Sequence, residues 1–315
     1  MILRRRILSM AIGLGLSVGL AAPAFAAEET YIPLISKGFQ HQFWQAVKSG
    51  ADQAAKDLKV KVTFEGPETE AMVDKQIDML SAALAKKPKA LGFAALDSKA
   101  AIPLLKKAQA AKIPVVAFDS GVDSDIPVTT ATTDNLAAAA LAADKMAELI
   151  GKEGEVAVVV HDQTSRTGID RRDGFLNRMK SNHPNIKIVS VQYGGGDQLK
   201  STEITKSILQ GNPNVKGIFG ANEGTAIGVL NGVKEMKRKI VVIGYDSGKQ
   251  QKAAIASGEM AGAITQNPVG IGYKTVEAAV KALKGEKLPK IIDTGFYWYD
   301  KSNLTDPKIA AVLYD

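Results

Sequence analysis

Residues 113–121 read IPVVAFDSG, and residues 240–248 read IVVIGYDSG. Each is a short apolar run, rich in β-branched residues, that passes through an aromatic side chain and stops at Asp-Ser-Gly. A strand with one wet face alternates polar and apolar residues, whereas a continuous apolar run of this length reads as a strand covered on both faces. In open parallel sheets ligands collect outside the carboxyl ends of such strands. The pattern therefore predicts that Asp119 and Asp246 project carboxylates into a crevice, one from each of two facing lobes. The plainer alternative is that each aspartate caps a following turn or helix, a place for which Asp and Ser are both suited. Repetition of the whole pattern favours the crevice.

The segments around these two runs alternate in type. Strands are expected at 31–35, 60–64, 90–95 and 129–132, with helices at 45–58, 71–84 and 100–111 between them. ATTDN at 131–135 reads as a crossover, and an alanine-rich helix at 136–150 opens a second round. That round has strands at 156–160, 186–191 and 215–219 before the second Asp-Ser-Gly run, then a helix at 250–256 and a strand ending at Gln266. A helix at 270–283 and a last strand at 291–299 complete the chain. Alternation of this kind gives an α/β fold with two similar doubly wound lobes, each built on a parallel sheet. A chain that finishes the second lobe and then supplies another helix crosses back, so a multi-strand hinge is expected. The first lobe would hold residues 27–133 and about 267–297, the second residues 134–266 and about 298–315. Hinged lobes close on ligands.

Composition narrows the class. Of 315 residues, 45% are apolar and 23% charged, as in an ordinary globular protein. Arg4, Arg5 and Arg6 precede an apolar run at 7–20, and Ala24-Phe25-Ala26 follows it. This is the pattern of a secretory signal peptide at 1–26, too short to span a bilayer, and it predicts an exported, soluble chain starting near Ala27. The absence of cysteine removes a disulfide framework and a thiol for lipid anchoring, so a free periplasmic protein is expected. Without the three leader arginines, 40 − 3 = 37 basic residues face 33 acidic ones, and the formal charge falls from +7 to about +4. The lysines are dispersed on helix faces, as at Lys86-Lys87 and Lys106-Lys107, which argues against a nucleic-acid partner.

Other chemistry is not encoded. GGGD at 194–197 lacks the GxGxxG spacing, and DSGKQQ at 246–251 lacks the loop that precedes GK[ST] in a phosphate-binding site. His41, His161 and His183 are the only histidines and have no zinc spacing, so neither a metal nor another cofactor is expected. After the expected leader, no GxSxG elbow marks a nucleophile. What stands out instead is SKGFQHQFW at 36–44, where Phe39, His41, Phe43 and Trp44 gather at a strand-to-helix junction. Phe43 and Trp44 are either the first core contacts of the helix or a binding surface, since aromatic faces cover the C–H faces of sugar rings. Polar side chains at strand ends beside such rings suit a neutral, hydroxyl-rich molecule.

HQFW at 41–44, IPVV at 113–116 leading to Asp119, TTDN at 132–135, FGANE at 219–223, VIGYDSG at 242–248 and ITQNPVGIG at 264–272, together with the leader, resemble the ribose/galactose-type periplasmic sugar-binding proteins. These are type I periplasmic binding proteins that serve ABC importers. The resemblance covers nearly all of the mature chain. Effector domains of LacI-type repressors share the fold but carry a DNA-binding helix-turn-helix where this chain has a leader. The resemblance implies a monomeric protein that captures a monosaccharide or polyol and hands it to an ABC transporter permease, and that in some members also signals to a chemoreceptor. It places His41 at a hydrogen-bonding position, Phe43 and Trp44 as ring-sandwiching aromatics, and Asp119, Asn222, Asp246 and Gln266 at hydroxyl-binding positions. Two departures bear on the ligand. Ser120 stands where ribose-specific members have arginine, and the second-lobe arginine falls among Arg166, Arg171 and Arg172. Arg166, nearest the preceding strand end, is expected to reach the ligand, with the other two on the helix facing solvent. An exported enzyme acting on a sugar through Asp119 and Asp246 is the competing reading; a ligand-sensing partner of a chemoreceptor or sensor kinase is a further one, compatible with the first.

Overall fold

A computed structural model describes residues 29–315; the expected leader lies outside them. Two six-stranded sheets share one topology. In the first, β1 (Tyr31–Ile35) lies between β2 (Lys61–Glu65) and β3 (Leu91–Phe93), followed outward by β4 (Val115–Phe118), β5 (Thr129–Thr132) and β11 (Ile291–Asp293), all parallel. In the second, β6 (Gly154–Val160) lies between β7 (Ile186–Tyr193) and β8 (Val215–Gly220). There β9 (Val241–Tyr245), β10 (Gly262–Gln266) and an antiparallel edge strand, β12 (Phe296–Tyr299), follow outward.

Each sheet is buried on both faces, which is why its strands read as continuous apolar runs. In β6, Val156, Val158 and Val160 join the core under α4 (Asn135–Leu149) and α5 (Arg166–Asn182). The intervening Ala157 and Val159 face the opposite core, under α6 (Gln198–Gly211), α7 (Glu223–Glu235) and α8 (Gly248–Ser257). The period-2 alternation of a strand thus feeds two cores at once. The first sheet repeats the plan, with α1 (Gln42–Leu58) and α9 (Pro268–Leu283) on one face and α2 (Val73–Ala85) and α3 (Ile102–Ala110) on the other. Helices α1 and α9 approach so closely that a Cβ on Gly50 or Gly272 would lie 1.9 Å from a backbone oxygen of the facing helix. Only glycine fits at these crossings.

The chain passes between the sheets at 133–134, at 267 and at 294–295. Residues 291–299, expected as one strand, are therefore two, and the third crossing precedes the expected boundary near 297. Two of the crossings are tied together, because Thr133 Oγ1 donates to Gln266 Oε1 at 2.9 Å.

The lobes are closed on one another through two helix N-termini. Helix α1 begins at Gln42, three residues before the expected start, and its N-cap residue His41 offers no side-chain cap. Its first amides are satisfied across the cleft: Gln42 N donates to Glu223 Oε1 at 3.3 Å and Phe43 N to Glu223 Oε2 at 3.2 Å. The favour is returned, because α8 also lacks its own side-chain cap and Lys249 N donates to Gln42 Oε1 at 2.7 Å. Tyr314 adds a third tie. Its hydroxyl donates to Glu223 Oε2 at 3.3 Å and accepts from Ser247 N at 3.1 Å, while its ring packs edge to face on Phe43. A carboxylate is well placed at a helix N-terminus, where unpaired N–H groups and the macrodipole favour negative charge. Hydrogen bonds to a charged group contribute about 1.5–3 kcal/mol each. Glu223→Ala is expected to shift the protein in solution toward separated lobes, read as a larger radius of gyration by X-ray scattering. A radius equal to that of the unaltered protein would mean that Glu223 does not hold the lobes together.

Candidate functional site

The two Asp-Ser-Gly runs end in the same unusual backbone geometry. Asp119 has φ 55° and Asp246 φ 76°, both in the left-handed region that Asp tolerates better than most residues. Asp119 N donates to Ala131 O of the neighbouring strand, and Asp246 N donates to Ile264 O in the same way. Each strand therefore stops at a sharp turn that swings its carboxylate toward the other lobe.

Both carboxylates line one small cavity at the closed interface. Of the residues expected at the site, His41, Phe43, Trp44, Asp119, Asn222, Asp246 and Gln266 line it. Ser120 and Arg166 do not. Ser120 is fully buried beside the cavity with its Oγ unbonded, so the turn that presents Asp119 aims the next side chain elsewhere. Arg166 opens α5 as its first residue, pairs with Asp170 and Asp123 and keeps 37% of its side chain exposed. The arginine that reaches the cavity is Arg171, which had been expected to face solvent. It stands on the inward stripe of α5 with Thr167, Gly168, Gly174 and Phe175. Its Nε donates to Asn135 Oδ1 at 2.8 Å and its Nη1 to Ala221 O at 2.9 Å, and its guanidinium lies 3.8 Å over the ring of Tyr245. Arg172 instead bonds Asp173 and the Tyr193 hydroxyl.

The rings of Phe43 and Trp44 belong to the core under α1 and also line the cavity. Their centroids are 5.0 Å apart at 83°, an edge-to-face pair. Two perpendicular neighbours cannot clasp a ring between parallel faces, so in this conformation they form one wall.

Three lining residues were not foreseen: Lys37, Glu70 and His161. Lys37 follows β1, is 2% exposed, and reaches across the cleft to donate to Thr167 Oγ1 at 3.1 Å. Glu70 precedes α2; Trp44 Nε1 donates to its Oε1 at 2.8 Å, and Lys37 Nζ lies 4.0 Å from its Oε2. Burial pushes the Glu70 carboxyl up, but Lys37, His41, His161 and the Trp44 N–H together outweigh it and hold the group at about 2. Asp246 is equally well provided for. Gln266 Nε2 donates to its Oδ1 at 2.6 Å, Glu223 N donates to its Oδ2 at 3.1 Å, and Arg171 Nη1 stands 3.9 Å away. Asp246 thus also serves as a cap on the first amide of α7.

Asp119 differs. No described residue donates a hydrogen bond to its carboxylate. Burial raises it from the ordinary 3.8 to about 6, against the opposing pull of Lys37 and Arg171 and with the help of Glu70 and Asp246. It is a buried acceptor without a partner, in a cavity with rings on one side and a guanidinium and an imidazole among its other walls. Among the described residues there is no cluster of three His, Cys, Asp or Glu side chains placed to hold a metal, and no helix is long and apolar enough to cross a membrane.

Comparison with known proteins follows the same lines. Residues 32–287 match the periplasmic binding protein domain family. The D-allose-binding periplasmic protein of Escherichia coli is 30% identical over 279 residues, covering 85% of this chain and 89% of the relative. The D-apiose import binding protein of Actinobacillus succinogenes is 27% identical, covering 92% and 91%. Among solved structures, a carbohydrate transporter solute-binding protein of Agrobacterium radiobacter in complex with D-arabinose superposes with a TM-score of 0.87 at 34% identity, covering 92% of this chain and 100% of that one. An ABC transporter solute-binding protein of Agrobacterium vitis with bound D-fucose gives 0.87 at 35%, covering 90% and 100%. The chain belongs to the periplasmic binding protein family, and its relatives there are the sugar-binding components of ABC importers.

Proposed function

We propose that this protein is exported to the periplasm, closes its two lobes on a neutral monosaccharide or related polyol, and delivers it to the permease of an ABC transporter. The observation that carries the reading is the Asp119 carboxylate, buried, without a donor and facing the cavity beside Phe43 and Trp44. A hydroxyl-rich ligand supplies what is missing: O–H groups for the carboxylate and C–H faces for the rings. Relatives whose names or bound ligands are D-allose, D-arabinose and D-fucose support the same chemistry. We propose no turnover. The two oxygens of Asp246 are already held by Gln266 and the Glu223 amide, so Asp119 has no free carboxylate to act with as an acid-base pair. Protein incubated with the bound sugar and its glycosides should return them unchanged, and steady product formation would replace this reading with an enzyme.

The direct test is a thermal-shift screen with D-allose, D-ribose, D-arabinose, D-fucose and polyols. A ligand at 100 times its dissociation constant should stabilise the protein by about 2.7 kcal/mol. No shift with any of them would remove the reading.

Asp119 also predicts a pH signature. With a carboxyl raised from 3.8 to about 6, the folded chain with closed lobes and no ligand holds a proton more tightly than the unfolded chain. That contribution to stability, about 3 kcal/mol at most, is fully present below pH 3.8 and is lost as pH rises through about 6. Ligand hydroxyls favour the ionised form and reverse the preference. Binding at pH 5 should therefore release protons, and affinity should weaken as pH falls below about 6. Calorimetry in two buffers of different ionisation enthalpy reads the proton count. Asp119→Asn should abolish the release, and an unchanged count in that variant would assign it to another group.

A further inference from the structure

His161 closes β6 at the second-lobe wall of the cavity and is 1% exposed. One ring nitrogen is engaged and the other is not: Nε2 lies 3.1 Å from Thr167 Oγ1, while Nδ1 is fully buried with no partner. The surroundings determine which nitrogen carries the proton. Thr167 Oγ1 accepts from Lys37 Nζ at 3.1 Å and lies 3.2 Å from Ser165 Oγ. Ser165 Oγ donates to Asp162 Oδ2 at 2.7 Å and so presents a lone pair, which takes the Thr167 hydroxyl proton. Thr167 then has no proton left for His161 and accepts from Nε2–H instead. The Asp162 carboxylate, 3.5 Å from Nε2, favours an N–H there over a lone pair. Burial, with Lys37 and Arg171 nearby, lowers the imidazole and keeps it neutral, against the upward pull of Asp162 and Glu70. A neutral imidazole with Nε2–H has a bare Nδ1, and the two nitrogens point in nearly opposite directions. Nδ1 is thus an acceptor turned away from Thr167.

A buried acceptor left unpaired is costly, so this position calls for a donor. Resting on the proposed function, we propose that His161 is a specificity-determining residue, whose Nδ1 accepts a hydrogen bond from one ligand hydroxyl on the second-lobe side. Asp119 reads hydroxyls from the first lobe, and His161 adds a second, uncharged acceptor from the opposite wall. Sugars that present a hydroxyl to both walls are then selected over epimers and deoxy sugars that present one.

Two substitutions separate a role toward the ligand from a role toward Thr167. His161→Gln carries its amide out to the reach of Nε2, preserving the Thr167 contact and losing the acceptor. His161→Asn places an amide oxygen near Nδ1 and gives up the Thr167 contact. With the tightest-binding of D-allose, D-ribose, D-arabinose and D-fucose, calorimetry should show about tenfold or greater weakening for His161→Gln and a smaller loss for His161→Asn. Across the monodeoxy analogues of that sugar, one should bind His161→Gln and the unaltered protein equally. Imidazole nitrogen NMR of the ligand-free protein should report Nδ1 unprotonated and Nε2 protonated at pH 7. A protonated Nδ1, equal losses in both variants, or an equal loss across the whole deoxy series overturns the proposal. If the unaltered protein binds none of the four sugars, the reading of the whole site fails and this one with it; if it binds and the variants match it, only the role of His161 fails.

Discussion

The site is governed by the need to bury charge without leaving it unmet. Glu70, Asp119 and Asp246 share a closed cavity with Lys37 and Arg171, each nearly or wholly out of water. Burying an ion is costly unless partners replace its hydration. Most of these groups have such partners. Glu70 has the Trp44 N–H and Lys37, Asp246 has Gln266 and the Glu223 amide, and Arg171 has Asn135, the Ala221 carbonyl and the face of Tyr245. Asp119 and the Nδ1 of His161 are left over. The unmet acceptors therefore stand on opposite lobes of one cavity.

The duplicated topology explains how two lobes can aim at one point. Each sheet ends its fourth strand in order of sequence at an aspartate with a left-handed backbone, and each such residue bonds the next strand by its amide. The lobes then meet through helix ends rather than through a broad apolar face. Glu223 links closure to the site directly: its side chain caps α1, which carries Phe43 and Trp44, while its own amide holds Asp246.

What the sequence made legible is what local pattern encodes. Buried strands appear as apolar runs, and strand-end residues follow from where the runs stop, which is why Asp119, Asp246, Asn222 and Gln266 could be named and do line the cavity. The start of α1 is not legible because no capping side chain marks it; its cap comes from Glu223, 181 positions from Gln42. Arg166 is nearer to the strand end along the chain, but helical phase turns Arg171 inward and leaves Arg166 half exposed. Thr167, Arg171, Gly174 and Phe175 recur at three- and four-residue spacing and share the buried stripe, a signal present in the sequence. Lys37, Glu70 and His161 carried no comparable signal. A lone lysine, glutamate or histidine becomes a site residue only through contacts such as Lys37 with Thr167, 130 positions apart.

The central claim is that a sugar satisfies the acceptor that the closed protein leaves unmet at Asp119. A crystal structure with the sugar that gives the largest thermal shift tests it most directly. The account predicts a sugar ring inside the cleft against the wall formed by Phe43 and Trp44, with a ligand hydroxyl about 2.6–3.0 Å from an Asp119 carboxylate oxygen. A sugar bound outside the cleft, or bound within it while the Asp119 carboxylate remains without a donor, would contradict it.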